Sequence, residues 1–293
     1  MTHILQNRNL SITINEKGAE LQRILRKPTQ EILWSGDARY WHGQSPILFP
    51  SVGSCANGKA YFRGEELAMP KHGMVHGMQF SVTEKTEDSI TLSVTDNAET
   101  RTHYPYAFSF RVTYKLQEDT IAITFEVENP NDTELPYQLG AHPAFLLPQF
   151  NEQDEVHGYL GFDIQDKLVS NGLKPGGLLW PEGSFDVSLN QEHLLPLGNH
   201  TFDCDTILDS RGQAKECTLY DKDKQPLVRV QFDSPILALW APCGGCAPFV
   251  CIEPWWGCCD KFDYKGEFAE RPWGRIVAPG EVQKTEYSIT ILR

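Results

Sequence analysis

Residues 108–132 read FSFRVTYKLQEDTIAITFEVENPND, and this stretch decides the fold class. Phe108, Phe110, Val112, Tyr114 and Leu116 alternate with Ser109, Arg111, Thr113 and Lys115. After Glu118-Asp119 the alternation resumes through Ile121, Ile123, Phe125 and Val127. Successive side chains of a strand point to opposite faces, so a period of two marks a strand with one face in a core and one in water. Asn129-Pro130-Asn131-Asp132 then stops the second run, as a cluster of turn formers does. The stretch predicts an antiparallel hairpin.

Outward from this hairpin the same pattern returns at Ile12 and Ile14, at Ile90, Leu92 and Val94, at Leu227, Val228 and Val230, and at Tyr287, Ile289 and Ile291. No amphipathic stretch of helical period and length interrupts it, and the 23 glycines and 19 prolines fall mostly between strands. The expected class is all-β, with mainly antiparallel sheets packed face to face or curled into a barrel. No fixed-period repeat points to a propeller or solenoid. The 293 residues contain no Pro/Ser/Gly linker that divides them, so residues 1–293 read as one domain. Gly- and Pro-containing segments at 42–78, 146–160, 171–200, 241–247 and 254–280 read as long loops, where binding and catalytic residues concentrate.

Charge narrows the partners. Lys and Arg total 26 against 39 Asp and Glu, a formal charge of −13, the reverse of what a phosphate-backbone binder carries. Nucleic acid and anionic membrane are therefore not expected partners. The start, MTHILQNRNL, lacks the apolar run of a signal peptide, and a cytoplasmic location is expected. Residues 235–252, PILALWAPCGGCAPFVCI, carry no formal charge, but three prolines and a Gly-Gly pair argue for two buried strands flanking a turn rather than a membrane helix. The eight cysteines read as free thiols in a chain this large. Cys243, Cys246 and Cys258 raise a zinc site, yet adjacent Cys258-Cys259 and the lack of a nearby His fit a tetrahedral ion poorly, so no metal is expected.

Three segments combine ionisable groups with aromatics and backbone breakers: PKHGMVHGMQF from Pro70, QLGAHPAFLLP from Gln138 and FVCIEPWWGCCD from Phe249. Phosphate-cradling glycine loops, a GxSxG elbow and HExxH are all missing, which leaves acid/base chemistry on an uncharged or weakly charged substrate. Glu253 stands between an apolar run and a Trp pair, at what reads as a strand end. Burial there would raise its pKa and suit it to general-base work, with Trp255 and Trp256 offering flat apolar faces to a sugar; a structural carboxylate is the other reading. His142, between a strand and an apolar run, titrates in the range of a proton shuttle, or is a satisfied core histidine. His72 and His76 are four apart, but the surrounding Gly and Pro place them on a loop, where helix-type metal ligation fails.

The segments LWSGDARYWHGQSPILFPSVG from Leu33, PKHGM from Pro70, QLGAHPAF from Gln138, FDCDTILD from Phe202 and CIEPWWG from Cys251 occur in an order that resembles the aldose 1-epimerase (galactose mutarotase-like) superfamily, over essentially the whole chain. The resemblance implies a single-domain β-supersandwich and a cofactor-free isomerase acting on a small-molecule sugar, as monomer or homodimer. It implies that Glu253 takes the proton of the anomeric hydroxyl and that His142 protonates the ring oxygen, so that the ring opens, rotates about C1–C2 and recloses as the other anomer. His72 would then hydrogen-bond near the ring oxygen, Asp205 would hold sugar hydroxyls, and His76 and Trp255 would complete the substrate site.

Two positions depart from the family pattern. Ser54 and His76 stand where members commonly carry Arg, the residue suited to gripping phosphate or several hydroxyls at once. A hexose-6-phosphate 1-epimerase therefore needs Arg63, Lys59 or Lys71 as a substitute cation. A non-catalytic carbohydrate-binding protein on the same fold is the alternative in another class.

Overall fold

The computed structural model describes residues 1–164, 167–174, 176–242 and 247–292. Among them the chain forms β-strands and four three-residue 3₁₀ turns. The hairpin at Ser109–Gln117 and Thr120–Glu128 forms as its alternation predicts, with Phe110 opposite Val127 and Tyr114 opposite Ile123. It lies within a nine-stranded antiparallel sheet ordered Leu194–Leu197, Gly158–Phe162, Glu216–Tyr220, Pro226–Phe232, Val282–Ile291, Thr120–Glu128, Ser109–Gln117, Ser89–Thr95 and Ser81–Lys85. Burial alternates with strict period two along Thr120–Glu128 because only one face of this sheet meets the core.

A second, eight-stranded sheet carries the candidate site. Its central strand, Phe249–Trp256, is buried at every position and pairs with Ile236–Trp240 on one side. On the other side it pairs with two short strands, Leu139–Ala141 and Ala144–Leu146. The two sheets meet through aromatic rings: Phe49, just beyond the Ile47–Leu48 strand, stacks on Phe110 of the nine-stranded sheet at 4.9 Å and meets Phe108 edge-on at 5.1 Å. Each such buried ring contributes roughly 1.5–3 kcal/mol through the apolar area it removes from water. Four strands from Thr2–Gln6 to Gln30–Glu31 form a smaller sheet at the start of the chain.

The structure corrects the sequence expectation at three places. Segment 171–200 is largely strand: Leu168–Lys174 pairs with Leu178–Val187 across an irregularity between Ser170 and Gly172. Two glycines meet there, and a Cβ on Gly172 would lie 2.4 Å from the Gly183 carbonyl oxygen, so the composition that signals a loop serves a close backbone approach. Segment 42–78 likewise contains the strands Ile47–Leu48, Lys59–Phe62 and Glu65–Ala68. Glu253 sits inside its strand rather than at the end. The charge-free segment 235–252 contributes the strands Ile236–Trp240 and Phe249–Trp256, and no helix among the described residues is long and apolar enough to cross a membrane. Cys243 and Cys246 lie outside the described residues. Cys55, Cys204, Cys217, Cys251, Cys258 and Cys259 are free thiols.

Candidate active site

The site begins with a break in a strand. Gly140 pairs with Trp255 and Ala144 with Cys251 in one continuous register, which puts His142 directly opposite Glu253. The Ile252 N–H donates to the Pro143 carbonyl at 3.2 Å, and the missing N–H of Pro254 would point to that same side, where the neighbouring strand is interrupted between Ala141 and Ala144. By the same register Pro254 stands opposite Ala141, the last residue before the break, so the ladder bond it cannot donate falls at the edge of the interruption. Cross-strand neighbours lie about 5 Å apart at Cβ, and accordingly His142 Nε2 approaches Glu253 Oε2 to 3.2 Å.

Both groups are buried, His142 to 7% and Glu253 to 1% of residual exposure. Burial lowers the His142 pKa to about 3, and it raises that of the Glu253 carboxyl well above the ordinary value. The positive charge of Lys71 and the Trp255 indole oppose the shift of Glu253, while the charge of Asp205 adds to it. Each group therefore disfavours its own ion. His142 is fixed by its neighbours, stacked on Trp41 at 4.9 Å and edge-on to Trp240 at 5.7 Å and to His72 at 5.7 Å. Three polar atoms here are buried and have no hydrogen-bond partner among the described residues: His142 Nδ1, Glu253 Oε2 and Trp255 Nε1. Buried polar groups are rarely left unpaired, so this cluster fits a polar ligand.

These residues line a cleft of about 740 Å³, together with His72, His76, Asp205, Lys71, Trp41 and Trp240. A volume of that order suits a small molecule of sugar size. His72 reaches it from a loop held against Phe49 and Gly53: its own N–H donates to the Gly53 carbonyl, and the Met74 N–H donates to Phe49. Gly73 is required there, since at φ +72° a Cβ would lie 2.1 Å from the Phe49 carbonyl oxygen. The Gly53 N–H donates to His72 Nδ1 at 3.2 Å, which assigns the ring proton to Nε2. Burial holds the His72 pKa well below its usual value, so this ring is a neutral donor.

The loop carrying Gly53 is stitched from below. Asp260 Oδ2 accepts the Ala56 N–H, and the Asp260 N–H donates to the Ser54 carbonyl. Asp260 Oδ1 pairs with Arg271 at 2.6 Å, while Arg271 also donates to Ser51 Oγ and the Cys258 carbonyl. The Ser54 hydroxyl is spent on the Gly176 carbonyl.

All six residues singled out from the sequence, Glu253, His142, His72, Asp205, His76 and Trp255, line this one cleft, with His76 exposed at its rim. The structure also separates the three acids of FDCDTILD, of which Asp203 is exposed and pairs with His200. Asp209 is buried and spends both oxygens on the backbone N–H groups of Arg211, Gln213 and Ala214, whereas Asp205 remains half-buried in the cleft wall. Sequence reasoning missed Trp41 and Trp240, which pack the His142 ring, and Glu20, whose Oε1 accepts the N–H groups of Gln44 and Ser45 at the cleft edge. Both tryptophans stood inside quoted segments, Trp41 in LWSGDARYWHGQSPILFPSVG and Trp240 in PILALWAPCGGCAPFVCI, and that placement was the available signal.

Of the three candidate cations, only Lys71 reaches the site. Lys59 pairs with Glu66, and Arg63 donates to Thr133 and lies over the Tyr106 ring. Lys71 has no hydrogen bond or ion pair among the described residues.

The β-sandwich fold defines a class, and the comparisons agree with it. A model of the aldose 1-epimerase family matches residues 1–290, and the chain belongs to this family of sugar epimerases. The plasmid LacX protein of Lactococcus lactis subsp. lactis is 33% identical across the full length of both chains. A galactose mutarotase related enzyme from Lactobacillus acidophilus superposes with a TM-score of 0.93 at 27% identity, over 100% of this chain and 98% of its own. A galactose mutarotase-like protein from Lactobacillus casei shares the fold, with a TM-score of 0.92 at 23% identity over 99% and 100%.

Proposed function

We propose that the protein is an aldose 1-epimerase interconverting the α and β anomers of a hexose, with Glu253 as general base and His142 as general acid. The observation that carries this reading is the 3.2 Å His142–Glu253 contact in the cleft, beside His142 Nδ1 and Trp255 Nε1, buried and without a hydrogen-bond partner among the described residues.

The proton balance suits the reaction. The working form has Glu253 ionised and His142 protonated, which needs the same single proton as the neutral pair. When the sugar is bound, Glu253 takes the proton of the anomeric hydroxyl as the bond from C1 to the ring oxygen breaks, and His142 gives its proton to that oxygen. The pair again holds one proton, now on the carboxyl. Rotation about C1–C2 and reclosure by the reverse transfers release the other anomer and restore the starting state. The two reacting oxygens hang from one carbon, so an acid and a base side by side can serve both. His72, with its proton on Nε2, supports the ring oxygen, and Asp205 and His76 take hydroxyls further along the cleft. Mutarotation already proceeds in water, so acid and base contributions of about 10²–10⁴ each suffice without a cofactor.

Lys71 favours a second reading, a hexose 6-phosphate as substrate, because an unpaired ammonium group in the cleft wall offers a phosphate its counter-charge. The test of both is anomer exchange measured by NMR saturation transfer in glucose, galactose and glucose 6-phosphate. Acceleration lost in Glu253→Gln supports the epimerase, and binding without acceleration supports a carbohydrate-binding protein. Lys71→Ala should raise KM several-fold for glucose 6-phosphate and leave glucose unchanged if the phosphate is read; equal effects on both sugars would remove that reading.

A further inference from the structure

One buried group beside the pair has no part in the epimerase chemistry. Cys251 precedes Glu253 by two positions on the same strand, so its side chain lies on the same face, and its pairing with Ala144 sets it diagonally across from His142. One ligand atom from each of His142, Cys251 and Glu253 lies within 4.8 Å of the others, and all three residues are buried. We propose that these three residues form a site for a thiophilic divalent cation, Zn²⁺ or Cd²⁺, that occupies both His142 and Glu253 and switches the acid/base chemistry off. Among the cysteines, the sequence raised a metal site only at Cys243, Cys246, Cys258 and Cys259.

Geometry and charge both carry the assignment. A tetrahedral zinc ion with bonds of about 2.0 Å to N and O and about 2.3 Å to S needs donors roughly 3.3–3.6 Å apart. The His142–Glu253 edge already measures 3.2 Å, and Glu253 Oε2 is buried without a hydrogen-bond partner. The fourth position opens on the cleft, because His142 and Glu253 line it. On binding, the thiol releases its proton to solvent, as does whichever of Glu253 and His142 carries one, because the ligand forms are thiolate, carboxylate and neutral imidazole. The ion, one thiolate, one carboxylate and one neutral imidazole then sum to zero charge, as a buried site favours. A thiolate ligand selects a soft or borderline ion over Mg²⁺ or Ca²⁺.

The inhibitory effect rests on the epimerase reading, whereas binding does not, and the experiment separates them. Chelator-stripped protein is titrated with Co²⁺ as an optical probe, and Cd²⁺ is then used to displace it. Wild type should show a thiolate-to-cobalt charge-transfer band with four-coordinate visible absorption, and so should Cys258→Ala/Cys259→Ala. Cys251→Ala should lose the band and bind Cd²⁺ at least tenfold more weakly. Cys251→Ser, of closer size, checks the result should Cys251→Ala melt early. No band in wild type, or a band that survives in both Cys251 variants, overturns the site. Zn²⁺ should inhibit wild-type anomer exchange and spare Cys251→Ala. The expected optical result in a protein without anomer exchange would leave the metal site standing and remove the epimerase reading instead.

Discussion

At the scale of single residues, His142 and Glu253 oppose each other's ordinary ionisation, and this has consequences for rate and for stability. Because burial lowers the His142 pKa to about 3 and raises that of Glu253 well above its ordinary value, the pH profile of kcat/KM should show no inflection near 6.5, the ordinary imidazole value; its acid limb should lie well below it and its alkaline limb well above the ordinary carboxylate pKa of 4.5. A bell centred on two unshifted values would contradict this. Glu253→Gln and His142→Asn should each lower kcat by about 10²–10⁴. Both should also raise stability by about 0.5–2 kcal/mol, since functional groups held in unfavourable surroundings cost stability. The two gains differ in pH dependence. The folded-state pKa of Glu253 is raised, so its native form loses stability as pH climbs above 4.5, and the gain from Glu253→Gln should be larger at pH 8 than at pH 4.5. The folded-state pKa of His142 is lowered to about 3, so stability is lost as pH falls below 6.5, and the gain from His142→Asn should be larger at pH 4.5. Thermal melts at the two pH values read both.

At the scale of elements, the strand break 141–144 and the loop 51–56 set the site. The break brings His142 to Glu253 in register, and the loop fixes the tautomer of His72 through Gly53. That loop depends on the buried Asp260–Arg271 pair. Arg271→Ala would strand the Asp260 carboxylate and leave the Ser51 hydroxyl and Cys258 carbonyl without their donor. A loss of about 3–5 kcal/mol in chemical denaturation is expected, with KM raised as His72 loses its support. The hairpin 108–127 was legible because one face is wet and the period is plain. The hairpin formed by Leu168–Lys174 and Leu178–Val187 was not, because Gly172 and Gly183, present for close backbone contact, look the same in sequence as turn formers.

At the scale of the whole molecule, Phe49 joins the two large sheets and also holds the site loop, accepting the Met74 N–H at its carbonyl while its ring stacks on Phe110. Phe49→Ala should therefore cost about 3–5 kcal/mol by denaturant titration and weaken substrate binding in the same variant. Loss of stability with unaltered KM would show that the core and the loop are independent.

The sequence by itself determined the all-β class, because alternation is a local property of neighbouring residues, and it offered Glu253, His142, His72, His76 and Trp255 as candidates, because those residue types stand out from apolar or turn-rich surroundings, whereas Asp205 was offered only by the resemblance of FDCDTILD to the family. Only the tertiary structure decided that Glu253 and His142 touch, that Lys71 alone of the candidate cations reaches the cleft, that Asp209 is structural while Asp205 is available, and that Cys251 stands beside the pair. Each of these depends on register or packing between segments far apart in the chain, and a one-residue shift in the pairing of Phe249–Trp256 would turn Cys251 and Glu253 to the opposite face.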